Sequence, residues 1–324
     1  MKHILLLFLD GVGLGDDDPQ TNPFAAARTP TLDALAGGQR WLRGAVRHDN
    51  GRAMFIPTDP RLGVPGRPQS ATGQAAILTG HNVPAALGEH YGPRPNAAIR
   101  ALLDRDNLFK RVLASGGSAA LITAFPPRFF DALERGKRLP SSVQQAALAA
   151  GLRLATESDI YAGAAMSPDW TGAGWRSDLG YTDTPLYAPQ EAGAHLAGLA
   201  AQRTLTFFEH WVSDMIGHRG MLAQGVALLE LFDAVMAGLL ATWDDEAGTI
   251  VITSDHGNLE DMNTRKHTAN DVPTVIVGAA RQRVAEGLRD LTGIAPGILR
   301  ALEGAEARGA ALPRPQADRP PDVG

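Results

Sequence analysis

The sequence predicts an α/β protein built on a mostly parallel central sheet with helices on both faces. Three observations lead there. Short apolar runs alternate with helical stretches along most of the 324 residues. Those runs are apolar at successive positions, as strands covered on both faces must be. The composition, 44% hydrophobic and 20% charged, is that of an ordinary globular chain and excludes collagen-like, disordered and multi-span membrane classes. The length suits one large domain carrying a small insertion.

The first predicted strand is Ile4–Leu9. Its six apolar residues fall short of the roughly 7–15 of a secretory leader, so a cytoplasmic location is expected. No run is expected to reach the ~20 apolar residues that span a bilayer. Thr29-Pro30-Thr31 reads as a capped helix start. Residues Pro57–Pro68, punctuated by proline and glycine, form a loop that leads into Ser70. Further buried strands are predicted at Ala119–Thr123, Leu205–Val212, Thr249–Thr253 and Thr274–Val277, all parallel. Helices are predicted at Ser142–Ala150, capped by Ser141 or Ser142, at Leu222–Trp243 and at Pro296–Leu302.

One stretch breaks the rhythm. Residues 125–190 read as an inserted lid or cap, and Tyr161–Tyr187 within it is loop-like. It holds Tyr161, Trp170, Trp175, Tyr181 and Tyr187, five of the nine Trp and Tyr residues of the chain. Irregular segments of such length are usually functional. The chain thus divides into a domain at 1–304 and a Pro/Ala/Arg-rich tail at 305–324 that is expected to be disordered.

Thirty basic residues against 35 acidic ones give a net charge of −5. No basic patch stands out, so neither nucleic acid nor a membrane surface is an expected partner. With no cysteine, disulfides, thiolate metal sites and a cysteine nucleophile are excluded together.

The chemistry gathers at strand ends. The first run closes on Leu9-Asp10-Gly-Val-Gly, the third leads to Asp214-Met-Ile-Gly-His218, and the fourth to Asp255-His256-Gly-Asn258. Ligands of open parallel sheets bind outside those carboxyl ends. Taken singly, Asp10-Gly-Val-Gly is a tight turn, Asp214 and His218 a solvated turn, and His267 a surface histidine. Taken together, three aspartates on one sheet edge repel one another unless a cation neutralises them.

These residues resemble the metalloenzyme core of the alkaline phosphatase superfamily, and most closely cofactor-independent phosphoglycerate mutase and phosphopentomutase. The motifs run in the family's order: Leu9-Asp10-Gly-Val-Gly, Asn22-Pro, Thr29-Pro-Thr-Leu-Asp33, Ser70-Ala-Thr-Gly73-Gln, Asp214-Met-Ile-Gly-His218, Asp255-His256-Gly-Asn258 and His267-Thr-Ala-Asn-Asp-Val-Pro273. The resemblance implies two divalent metal ions, Mn²⁺ or Zn²⁺. Asp214, His218 and His267 match one site; Asp10, Asp255, His256 and Ser70 match the other. Ser70 stands at the nucleophile position.

Three departures shape the functional expectation. Gln74 stands where the family has histidine. The large transferase insertion of phosphoglycerate mutase and its paired-arginine clamp are not recognisable. A mutase must shelter its phosphoserine from water, so a phosphohydrolase working through phospho-Ser70 on a small phosphorylated metabolite is the simpler expectation. A phosphomutase with a shortened cap, or a catalytically silent metal-binding homologue, is the alternative. A sulfatase is disfavoured, because the nucleophile motif lacks that group's proline and arginine. His90, Arg94, Trp170 and Trp175 are the candidate substrate contacts.

Overall fold

The computed structural model describes residues 3–309, with side chains as far as Glu303. Strand β1 (His3–Leu9) is buried at every position and forms the axis of the fold. On one side of it lie β7 (Leu205–His210) and then β4 (Ala119–Leu121); on the other lie β8 (Gly248–Thr253), β9 (Val272–Val277), β3 (Ala53–Thr58) and β2 (His48–Asp49). The seven form one sheet in the order β2-β3-β9-β8-β1-β7-β4.

Alternation along β1 decides which core each side chain joins. Ile4, Leu6 and Phe8 pack with Ala71, Ala75, Leu78, Phe109 and Phe207 on one face. Leu5, Leu7 and Leu9 pack with Phe24, Leu32, Trp41, Leu229, Phe232 and Met236 on the other. Each such side chain contributes about 1.5–3 kcal/mol by leaving water.

The sheet is mixed, which amends the parallel expectation. β1 pairs in parallel with β7 and β8, and β4 with β7, but β9 runs antiparallel to β8 and β3 antiparallel to β9. The cause is the connection. Residues 254–271 between β8 and β9 hold no helix, and a parallel return needs a crossover of a dozen or more residues, usually helical. β7 also stops at His210, two residues before the predicted strand end, and a helix begins at Val212.

The long helix Leu222–Thr242 corrects a further expectation. It is 21 residues long with mean hydropathy 1.7, enough by length and composition to cross a bilayer. It nonetheless lies packed in the fold, with Leu229, Phe232, Val235, Met236 and Leu239 buried beneath it. Its Asp233 caps another helix: the carboxylate accepts the Leu32 N–H at 2.8 Å, while Thr29 makes no capping bond from its side chain to that helix.

The Phe125–Gln190 segment is more ordered than expected. It contains helices Pro127–Glu134, Ser142–Ala149, Glu157–Tyr161 and Ala173–Ser177. A two-stranded parallel pair, β5 (Ala124–Phe125) and β6 (Ala155–Thr156), ties its start to its middle. Ser141 caps the Ser142 helix through a full capping box with Gln144. That helix docks on the one beginning at Ser70, with the Ser142 hydroxyl donating to Ala71 O at 2.8 Å. At the other end of the chain, helix Ile294–Gly309 runs past the predicted Pro296–Leu302, and the remainder of the expected tail, residues 310–324, lies outside the described residues.

Candidate active site

The carboxyl ends of β1, β7 and β8 converge. Asp10 follows β1 directly, and its N–H donates to His210 O of β7 at 2.8 Å. Gly11 then turns the chain at φ +72°; a Cβ there would meet the Asp214 carboxylate at 2.7 Å. Asp214 is not on a strand end as expected. It sits in the first turn of helix Val212–Arg219, four residues before His218, where a carboxylate is favoured by the helix dipole.

The predicted ligands meet in two overlapping groups, Asp10 with Asp255 and His256, and Asp214 with His256 and His267. His256 Nε2 lies 3.3 Å from Asp10 Oδ1, 3.6 Å from Asp255 Oδ2 and 2.9 Å from Ser70 Oγ. His267 stacks on His256 with ring centres 3.6 Å apart and places Nε2 3.7 Å from Asp214 Oδ1. His218 Nε2 is 3.4 Å from Asp214 Oδ2 and 3.2 Å from His267 Nε2.

The other ring nitrogens explain this orientation. His218 Nδ1 faces Arg265 O at 3.0 Å, His267 Nδ1 faces Pro68 O at 2.9 Å, and His256 Nδ1 faces Gly257 O at 3.3 Å. A carbonyl accepts only, so each Nδ1 carries a proton; His256 and His267 then present an Nε2 lone pair, whereas the Asp214 carboxylate pushes His218 up and takes a hydrogen bond from its Nε2.

Charge tells the same story. Burial, then the charges of Asp255, Asp214 and Glu209, push the Asp10 carboxyl well above its ordinary range. Burial and then Asp214 push Asp255 up to about 7. Burial also raises Asp214, but hydrogen bonds from His218 and Asn258 with the nearby imidazoles outweigh it and bring it to about 2. His256 and His267 are pulled down to about 4, chiefly by burial, and so are neutral at pH 7. Against the three carboxylates stands the half-exposed His218, whose imidazole the Asp214 carboxylate pushes up. Asp10 Oδ1 is buried with no hydrogen-bond partner. An oxygen- and imidazole-lined set of this kind fits divalent cations.

Ser70 opens helix Ser70–Thr79, which is buried throughout its length. Its hydroxyl donates to His256 Nε2 and so faces the ligand groups. Gly73 lets that helix approach, because a Cβ there would stand 2.9 Å from the Cβ and carbonyl oxygen of Asp255.

The substrate candidates fare differently. Trp170 and Trp175 were expected to offer stacking surfaces, and this is corrected. Trp170 is 1% exposed, stacked on His210 at 4.0 Å and on Phe232 at 5.1 Å. Trp175, 2% exposed, fills a small core with Ile160 and Tyr181. His90 binds Val64 O at 3.2 Å and braces the loop before Ser70. Arg94 follows Gly92, whose missing side chain leaves room 3.3 Å from the Ser70 N–H. Arg94 acts electrostatically on Arg138 and on Glu209, a buried carboxyl pushed up to about 7 by burial and hydrogen-bonded by Ser141 and Gln144.

Sequence reasoning missed Glu260. It is 2% exposed; one oxygen accepts the N–H groups of Gly13 (3.1 Å) and Asn258 (2.8 Å), the other accepts Thr268 Oγ1 and Asn270 Nδ2 (2.9 Å). Asn258 in turn donates to Asp214 Oδ1 at 2.7 Å. Gly13 and Gly257 were the available signal, since a Cβ on either would overlap the Glu260 carboxylate at 2.3 and 2.1 Å.

Comparison with known proteins agrees with this site. The Metalloenzyme superfamily model matches residues 187–303, a span that contains Asp214, His218, Asp255, His256 and His267. Among curated relatives, 2,3-bisphosphoglycerate-independent phosphoglycerate mutase of Methylobacillus flagellatus is 32% identical over 93 residues, 26% of this chain and 18% of that protein. The enzyme of the same name from Microcystis aeruginosa is 38% identical over 103 residues (28% and 19%), and that of Syntrophotalea carbinolica 33% over 121 (35% and 24%). The matched stretches thus span no more than about a quarter of these relatives' length. The PH0037 protein of Pyrococcus horikoshii shares the fold, with a TM-score of 0.50 at 17% identity over 86% of this chain and 85% of that one. Over residues 187–303 the chain is thus similar to the Metalloenzyme superfamily, and that span carries five of the seven candidate ligands. Over its matched stretches the chain is similar to 2,3-bisphosphoglycerate-independent phosphoglycerate mutase.

Proposed function

We propose that this chain is a phosphoryl-transfer enzyme of the phosphomutase type, dependent on two divalent cations, Mn²⁺ or Zn²⁺, with Ser70 as nucleophile and a small phosphorylated metabolite as substrate. The observation that carries it is the Ser70 hydroxyl, at the start of a buried helix and 2.9 Å from the imidazole that both candidate ligand groups share. Asp214, His218 and His267 would hold one cation; Asp10, Asp255 and His256, with Ser70, the other. Cations bound there supply charge neutralisation and lower the pKa of the Ser70 hydroxyl.

The chain's own residues supply the rest. Ser70 Oγ attacks phosphorus, the bond from phosphorus to the substrate oxygen breaks, and that oxygen leaves with a proton. The amino end of helix Ser70–Thr79 favours the negative charge on the phosphoserine. Arg94, two residues after the glycine that packs beside the Ser70 N–H, is the candidate phosphate contact. In a mutase a second hydroxyl of the substrate then takes the phosphoryl group back and Ser70 regains its proton. The relatives, all phosphoglycerate mutases by name, favour this fate.

A second reading, hydrolysis of the phosphoserine, has its own support. The Phe125–Gln190 segment buries Phe125, Phe129, Trp170 and Trp175 and packs against the Ser70 helix through Ser142, which leaves less of it to close over an intermediate. Turnover of a panel of phosphorylated metabolites with added Mn²⁺ in ¹⁸O-labelled water tests both. Isomerised substrate without label supports the mutase; labelled inorganic phosphate supports the hydrolase. Ser70→Ala should lose several powers of ten in rate, and retention of more than about a tenth would overturn the covalent mechanism.

A further inference from the structure

Gln74 lies one turn after Ser70 on the same helix face. It is 2% exposed, and an amide sealed in a core needs partners. Its partners are two carboxylates. Nε2 donates to Asp255 Oδ2 at 3.2 Å and to Asp10 Oδ2 at 3.4 Å, so the two hydrogens of one nitrogen are divided between them. The amide oxygen has no partner among the described residues, so the carboxylates alone orient the group. Histidine, the residue of the resembled family at this position, carries at most one hydrogen on each ring nitrogen and cannot give each acid its own hydrogen from a single atom.

We propose that Gln74 is a positioning residue that sets the spacing and rotation of Asp10 and Asp255 and so tunes one cation site and not the other, an inference that rests on the metal-dependent reading above. With Asp10 Oδ2 held by the amide, Asp10 Oδ1 is turned toward His256 Nε2 and left without a hydrogen bond. Gln74 makes no hydrogen bond to Asp214, His218 or His267. An amide is also uncharged, so it draws the two acids together without taking the place of a cation between them.

The test is metal binding by the full-length protein after chelator treatment, titrated with Mn²⁺ by calorimetry and by electron paramagnetic resonance. Gln74→Met, similar in volume but without donors, should weaken one Mn²⁺ equivalent about 10–100-fold, the range for loss of a partner to a metal ligand, and leave the other unchanged. Should that variant not fold, Gln74→His carries the same comparison between the two equivalents. Unchanged binding at both, or equal weakening of both, overturns the positioning role. Wild-type protein that takes up no Mn²⁺ overturns the metal-dependent reading itself. Wild type with two equivalents and a variant with no selective loss overturns only the inference about Gln74.

Discussion

Trp170 shows how a single residue reverses its expected meaning. In sequence it sits among glycine, aspartate and proline, the company of an exposed loop. In the fold its backbone takes φ +62°, a conformation that bulky residues rarely hold, and its ring is clamped between His210 and Phe232. His210 ends β7 and Phe232 belongs to the long helix, so the tryptophan is a core residue between sheet and helix and offers no open stacking face. No local pattern reveals this, because the partner rings come from positions 210 and 232. Trp170→Ala should therefore cost about 3–5 kcal/mol of stability, as for other buried aromatics, with KM for any active substrate nearly unchanged. A urea midpoint equal to wild type beside a tenfold rise in KM would restore the stacking role.

At the scale of elements, the motifs that were legible are those at which the chain leaves a strand. Asp10 and Asp255 follow buried runs; Gly11 marks a tight turn after the first, and Gly257 makes room for Glu260 after the second. Asp214 was misplaced because Leu205–Val212 is apolar enough to read as one strand, whereas Trp211 is the pivot between strand and helix. β9 was given the wrong direction because a strand buried on both faces has the same composition whichever way it runs. β3 was missed because Pro57 falls inside it, next to a proline-rich loop. The loops carrying the ligands show no periodicity, so their organiser, Glu260, was invisible. Glu260→Ala would strand the N–H groups of Gly13 and Asn258 and release Asn270 and Thr268, at a cost of at least about 2 kcal/mol. Mn²⁺ affinity should fall with it, since the loops of Asp10, Asp214, His256 and His267 lose their common anchor. Glu260→Gln should be milder, because the Thr268 hydroxyl can turn to accept from the new amide. Equal loss in both variants, read by thermal melting and metal titration, would assign the role to charge and not to the shape of the hydrogen-bond set.

For the whole molecule, the proposed site should couple metal content to folding. β1, β7 and β8 bring Asp10, Asp214 and Asp255 to one edge, and burial keeps His256 and His267 from offering positive charge. The native state therefore contains its own repulsion, which bound cations remove. An ion that binds only the folded chain adds about 2.7 kcal/mol at a hundred times its Kd and about 4.1 at a thousand times. The melting temperature should accordingly rise with the logarithm of Mn²⁺ concentration and fall in chelator. Asp255 makes the sign testable. Its folded pKa, about 7, lies above the unfolded value of 3.8, so its stabilising protonated form is fully present below pH 3.8 and is lost as pH rises through 7. At pH 8 in chelator, Asp255→Asn should be more stable than wild type, because it deletes a buried charge. In excess Mn²⁺ the order should reverse, because the variant has lost a ligand and gains less from the ion. Wild type that is the more stable protein under both conditions would mean that the three carboxylates are held by the fold alone, with no cation needed to balance them.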